Sequence, residues 1–196
     1  MRKLLIVALA FPSLSWAATW NLDPAHTSVQ FSVRHLMVSN VRGEFGQVAG
    51  TVQADEKDPT HAKIEATIDA TSIDTRVEKR DAHLKSPDFL DVAKCPTITF
   101  VSKKIEQGAA GHFKVTGDLT LHGVTREVSI DVEGPSPEIK DPRGNIRAGA
   151  QATTRINRKD FGLTWNQVLE AGGVAVGDEV TITIDVEATK ETASGG

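Results

Sequence analysis

The chain has 196 residues, with 22 Lys and Arg against 26 Asp and Glu and a formal net charge of −4. That balance excludes the basic surface on which nucleic-acid binding depends. The single cysteine, Cys95, excludes an intrachain disulfide and is expected to be buried.

The N-terminus reads as an export leader. Arg2 and Lys3 precede an apolar run over 4–14, and Ser15-Trp16-Ala17 places small residues at −3 and −1 of a cleavage site before Ala18. The run is too short for a bilayer span, which needs about 20 residues. No cysteine follows it to accept a lipid, and no later segment is apolar enough to cross a membrane. The expectation is a leader over 1–17, cleaved after Ala17, and a single domain over 18–196 that works in the periplasm.

From there on period-two alternation dominates. Val29, Phe31 and Val33 share one face. Ala62, Ile64, Ala66, Ile68 and Ala70 alternate with charged and hydroxyl residues. The same holds for Phe113, Val115, Gly117, Leu119 and Leu121, for Val124, Val128, Ile130 and Val132, and for Val180, Ile182, Ile184 and Val186. Weaker strands are predicted at 43–54, 97–105 and 146–156. The total is about eight, the number at which a small barrel can hold one ligand. Two segments break the pattern: a short helix is predicted over 75–84, with a further turn over 87–90. Another is predicted over 157–161, with Asn157 as N-cap. His122-Gly123 reads as a two-residue hairpin turn. Gly134-Pro135 and Asp141-Pro142 bracket a longer loop, and 192–196 is expected to fray.

One apolar face is often small: Ala62, Ala66 and Ala70 on one strand, Ala148, Ala150 and Ala152 on another. Small inward residues leave volume that large side chains must plug or an apolar ligand must fill, because empty core volume costs about 24 cal/mol per Å³.

Several segments together are similar to one family. Trp20-Asn21-Leu22-Asp23-Pro24-Ala25-His26-Thr27-Ser28 and Phe31-Ser32-Val33-Arg34-His35 resemble the opening of YceI-like proteins. Arg80-Asp81-Ala82-His83-Leu84, Ser86-Pro87-Asp88-Phe89, Pro96-Thr97-Ile98-Thr99-Phe100 and Gly117-Asp118-Leu119-Thr120-Leu121-His122-Gly123-Val124-Thr125 continue the likeness in order. Arg155-Ile156-Asn157-Arg158-Lys159-Asp160-Phe161-Gly162 and Val176-Gly177-Asp178 complete it. The resemblance implies an all-β, eight-stranded antiparallel lipocalin-like barrel with short helical insertions. It also implies a long polyisoprenoid or similar amphiphile in the barrel, and a homodimer.

The bulky candidates for lining the cavity are Phe31, Phe89, Phe100, Phe113, Phe161 and Trp165. His26, His35, Arg80, Asp81, His83 and Arg155 are the candidates for a polar cluster at the cavity or a headgroup site. Arg80, Arg155 and Arg158 can fork onto phosphate oxygens, although solvated surface charge is the simpler reading of each. His26, His35, Asp81, His83 and His122 also invite a metal or catalytic reading, but no His-Glu-x-x-His, no close cysteine pair and no Gly-x-Ser-x-Gly is present. The expected protein is therefore a binding or transport protein, not an enzyme. It needs no cofactor or metal, and holds a quinone-like or polyprenyl-phosphate-like chain during transient contact with a membrane. Two alternatives stay open: a metal-dependent enzyme using the histidines, and a ligand-free stress-response module.

Overall fold

The computed structural model describes residues 18–55, 58–170 and 172–191. The leader over 1–17 and the tail over 192–196 lie outside the described residues. The strands are β1 (Ala18–Leu22), β2 (Ser28–His35), β3 (Ser39–Phe45), β4 (Val48–Ala54), β5 (Lys63–Asp69), β6 (Ile73–Asp74), β7 (Thr97–Gln107), β8 (His112–Leu121), β9 (Val124–Glu133), β10 (Ile139–Lys140), β11 (Ile146–Asn157) and β12 (Val176–Lys190).

Pairing reduces these segments to eight staves. β12 pairs with β1 through Trp20↔Lys190 and with β2 through Val33↔Val180, so β1 and β2 form one stave interrupted at 23–27. β3 pairs with β2 and β4 with β1, so they form the second stave. β5 pairs with β4 and β6 with β3, making the third. β7, β8, β9, β11 and β12 complete the ring, which closes along β12. All these neighbours are antiparallel. The protein is thus an eight-stranded closed antiparallel barrel, the architecture the family resemblance implied, with about the strand count the alternation indicated.

The connections define two ends. At one, the His122-Gly123 turn, the β6–β7 connection with helix α1 (Glu78–Lys85), and residues 158–170 and 172–175 gather as a cap. His122 and Gly123 take φ of 53° and 71°, the turn predicted for that dipeptide. The helix starts later than predicted. Thr75 is buried and outside the helix, and Arg76 at φ 65° stops helical backbone from reaching back. Val77 caps the helix without a side-chain bond, and Asp81 instead ties the approach to the helix: its carboxylate accepts from Thr75 N–H at 2.9 Å and from Thr75 Oγ1. The stretch 87–90 forms turns rather than a helical turn. A 3-10 helix, Arg158–Phe161, follows β11, and Asn157 caps it by accepting from Lys159 N–H at 3.0 Å.

The cap and the barrel share one apolar plug: Ala70, Ile73, Leu90, Ile98, Leu119, Leu121, Ile156, Phe161 and Leu163. Cys95 is half-buried beside the His122-Gly123 turn, less enclosed than predicted, because it lies on the cap's outer connection rather than on a strand.

Arg158 fastens the cap. Its side chain is 3% exposed. Nε donates to Gly177 O at 2.9 Å, Nη1 to Trp165 O at 2.9 Å and to Leu163 O, and Nη2 to Val176 O at 3.3 Å. Burial lowers its pKa, and Asp178 opposes that shift. Its donors are taken up by the carbonyls of residues 163, 165, 176 and 177 and by the Asp178 carboxylate, so Arg158 is unavailable to a ligand headgroup, contrary to the sequence reading. Replacing it with Met should destabilise the protein by roughly 3 kcal/mol in urea unfolding, because carbonyls ordered by a charged donor lose it on burial. Lysine should rescue little, since one ammonium cannot reproduce the fork. Arg155→Met, on the exposed face, should stay within about 0.5 kcal/mol of wild type.

Candidate functional site: the barrel lumen

Strand parity decides which side chains face the lumen. On β12 these are Val180, Ile182, Ile184, Val186 and Ala188; opposite them on β2 stand Val33, Phe31 and Val29. On β11 the inward positions are Ala148, Ala150, Ala152, Thr154 and Ile156. The two sides of the ring differ. Along β8 the inward residues Val115, Gly117, Leu119 and Leu121 are all buried. Along β12, Val180, Ile182, Ile184 and Val186 are only half-buried, as are Phe31 and Val33 on β2 and Ile64, Ala66 and Ile68 on β5. An inward aliphatic side chain that keeps solvent access borders a hollow. Phe31, Ile68, Val180 and Ile182 also pack against the plug, so the lumen lies beyond them on the β12 side, bordered by Ile184 and Val186 and by Ala148 and Ala150 of β11.

Two glycines keep aromatic rings out of it. A β-carbon at Gly43 would stand 2.5 Å from Phe31 Cζ, and one at Gly117 would stand 2.6 Å from Phe100 Cζ. The outer edge of each ring occupies the space over the residue that has no side chain. The wall also has a seam. β9 and β11 pair only at Glu133↔Gln151, Val132↔Ala152 and Asp131↔Thr153. Toward the cap they splay, bridged by Thr154 Oγ1 donating to Ser129 O at 2.7 Å. Arg126 stands on the lumen-side parity of β9, opposite Leu119, yet is exposed because no β11 residue lies beside it.

The predicted lining residues divide into four groups. Phe31 and Phe100 lie on the lumen wall. Phe161, 1% exposed, belongs to the plug. Phe89 and Trp165 sit in the cap, 5.2 Å apart, with the His83 ring edge-on to both at 5.0 and 4.9 Å. Phe113 stands at the opposite rim, next to the first residue of β8.

The six polar candidates do not form one cluster. His26 lies outside, in the break between β1 and β2, with Nδ1 3.0 Å from Asp23. His35 ends β2, half-buried, opposite Ser39 and Val176. Arg80 and Asp81 both bind Thr75, Arg80 Nε donating at 2.7 Å, and so hold α1 to its own approach. His83 pairs with Asp88 at 2.8 Å. Arg155 points outward, 3.7 Å from Glu179. The reasons differ: strand parity turns Arg155 outward, the break at 23–27 keeps His26 outside, His35 ends its strand at the rim, and Arg80, Asp81 and His83 belong to helix α1 in the cap.

A different polar network ties that outer face together. Arg147 Nη1 donates to Asp23 at 2.6 Å and to Glu187 at 2.5 Å, while Nε donates to Asp141 at 2.8 Å. Ligand atoms of Asp23, His26 and Glu187 lie within 4.8 Å of one another, a spacing compatible with a metal. The Arg147 guanidinium already lies against two of the three, so the positive charge this group is built around is the arginine. The network joins β1, β11, β12 and the loop after β10.

The YceI-like domain family matches residues 20–188. The chain belongs to the YceI-like family. It is 40% identical over 168 residues to a UPF0312 protein of Staphylococcus aureus, covering 86% of this chain and 95% of that one. Among solved structures, a Campylobacter jejuni YceI protein is 30% identical, with a TM-score of 0.68 over 81% of this chain and 90% of that one. Two others share the fold: Burkholderia cenocepacia BcnA (23% identity, TM-score 0.73, 86% and 99% coverage) and a polyisoprenoid-binding domain from Saccharophagus degradans (16%, 0.64, 88% and 98%).

Within this YceI-like barrel, Gly43, Gly117, Arg126, Thr154 and Arg147 were not singled out by sequence reasoning. The strand alternation already placed Gly117 on an inward face, and that parity was the available signal for it. The other four depend on which strands become neighbours.

The Arg147 network sets an acid response. The arginine's hydrogen bonds hold the Asp23 and Asp141 carboxyls far below the usual carboxylate range, and the two carboxylates raise Arg147 in turn. Carboxyls lowered by folding stabilise the native state fully above their unfolded pKa, near 4, and lose that contribution as pH falls toward their folded values. Arg147→Met should therefore lower the melting temperature at pH 7. The gap to wild type should narrow steadily between pH 5 and pH 2, as read by circular dichroism.

Proposed function

We propose that this protein is an exported carrier, not an enzyme, that holds one long-chain amphiphile of the polyisoprenoid class in its lumen. The carrying observation is the asymmetry of the barrel interior: dry along β8, accessible along β12, β2 and β5. The accessible wall is almost entirely aliphatic and aromatic, which suits an extended hydrocarbon chain and no polar substrate. Burial of about 0.8 kcal/mol per methylene makes chain length the main source of affinity. The fold shared with a polyisoprenoid-binding domain supports this ligand class. The leader-like residues 1–17 support action outside the cytoplasm. The seam between β9 and β11 suits the polar head, which would meet Arg126 and Thr154 there. A quinone or a polyprenyl phosphate would satisfy both requirements, with binding and release alone and no covalent step.

Native mass spectrometry of protein from its own host should show one lipid per chain, and titration with a polyprenyl phosphate should saturate at one. Ala66→Phe, which places a ring in the lumen opposite Phe100, should cut that affinity at least tenfold and leave circular dichroism unchanged. Protein that carries no lipid and ignores the titration would reject the proposal, as would an Ala66→Phe variant with unchanged affinity.

A further inference from the structure

At the capped end the chain breaks two rules of soluble-protein surfaces at one place. The hairpin between β2 and β3 turns at Leu36-Met37, where φ is 49° and 61° and Val38 N–H closes onto His35 O at 3.1 Å. Positive φ at both central positions of such a turn is the geometry that favours Asn-Gly, because large side chains resist it. Here Leu and Met occupy it. Their side chains are also not tucked away: Met37 is 52% exposed and Val38 75%. The neighbouring loop adds Val168 at 80%.

The two loops are one surface. Leu36 N–H donates to Ala175 O at 2.8 Å, and a β-carbon at Gly173 would lie 3.3 Å from Met37 Cγ. Val174, next to Gly173, bridges to Val168. Thus Leu36, Met37, Val38 and Val168 form an apolar crest across two adjacent loop tips. Neither tip packs into the plug, so nothing inside the fold repays the unfavourable turn.

The unneutralised charge beneath the crest is positive, because Asp178 and Glu179, beside Arg34 on β12, are already paired with Arg158, Lys159 and Arg155. Arg34 and Arg42 stand on the outer face of the same hairpin, opposite Asn40 and Ser32. Neither is ion-paired among the described residues; Arg34 instead donates to Met37 O at 2.8 Å. Arg76, before α1, and Lys79, in its first turn, lie at the same end and are exposed, with exposed Glu78 offsetting one of them. Glu170, on the tip beyond Val168, is the one acidic side chain of that loop segment, 166–170. The first acidic side chains down the hairpin face are Glu44 and its partner Asp74, farther from the tip. An apolar crest above a basic collar is the pattern that inserts into a headgroup layer while the collar meets lipid phosphates.

We propose that this crest docks the barrel, cap first, on an anionic phospholipid bilayer. It extends the carrier reading by naming the face and the partner. The seam between β9 and β11 opens toward the same end, so docking places that opening near the membrane. A membrane suits the crest better than a protein groove because the apolar residues lie at separate loop tips, with no helix or strand edge for a partner to match.

Protein expressed with its leader, purified after export and checked for its N-terminus by mass, is mixed with vesicles of phosphatidylethanolamine and phosphatidylglycerol. It should float with them and should dissociate at high salt. Phosphatidylcholine vesicles should retain at least fivefold less. Val38→Asp combined with Val168→Asp should cut flotation at least tenfold with the melting temperature unchanged, since both positions are exposed. Arg42→Glu should weaken binding to the anionic vesicles alone. Wild-type protein that stays in solution overturns the proposal, as does a double variant that floats equally well. A dimer that the double variant dissolves, without vesicle binding, assigns the crest to a second copy instead. Lumen occupancy is read separately by lipid titration, so failure of docking and failure of the carrier reading are distinguishable.

Discussion

Closure of the sheet along β12 fixes inside and outside for every other strand. That strand hydrogen-bonds β11 on one edge and, in succession, β2 and β1 on the other. Because successive side chains alternate faces, one register on β12 commits Val180, Ile182, Ile184 and Val186 to the lumen and Asp185 and Glu187 to solvent. A slip of one residue would expose the first set and bury two carboxylates. The Arg147 network marks the same choice from outside, because it can form only when β1, β11 and β12 lie in this order.

The interior is then shaped by side-chain size. Ala66 on β5, the alanines of β11 and Gly43 beneath Phe31 keep the wall thin on the accessible side, whereas Ala62 and Ala70, expected on the same strand as Ala66, fall outside β5 and Ala70 joins the plug. The plug at the capped end uses full-sized Leu, Ile and Phe. A filled core throughout would be the more stable arrangement, since volume left without contacts forfeits dispersion energy. The proposed ligand would supply the atoms that such a wall lacks. The cap carries the opposite character. Arg158 organises its backbone from within, while its outer tips present Leu36, Met37, Val38 and Val168 to the surroundings. Rigid support under an apolar crest is what reversible attachment to a surface requires.

Much of the fold was legible in the chain. Alternation gave the number of staves and the inward face of most of them, because a half-buried strand needs one dry side. Turn chemistry gave His122-Gly123, and the Asn157 cap gave the second helical turn. β1 was not foreseen: five residues with Asn21 among them offer too short a pattern. The late start of α1 was not foreseen either, since nothing local reveals that Thr75 will be buried and Arg76 left-handed.

The candidate site was legible in kind but not in membership. Period two determines that a residue faces inward, so the sequence established an apolar, small-residue interior and ordered family motifs around it. It did not establish which inward residues share the hollow, because that depends on strands far apart in the chain becoming neighbours. Histidines 26, 35 and 83 are conspicuous as letters, yet the fold carries them to three separate places. Arg126, Thr154 and the crest at 36–38 are inconspicuous as letters and gain their meaning only where β9 parts from β11 and two loops meet. Local rules act over a few residues, whereas closure of a ring is a property of the whole chain.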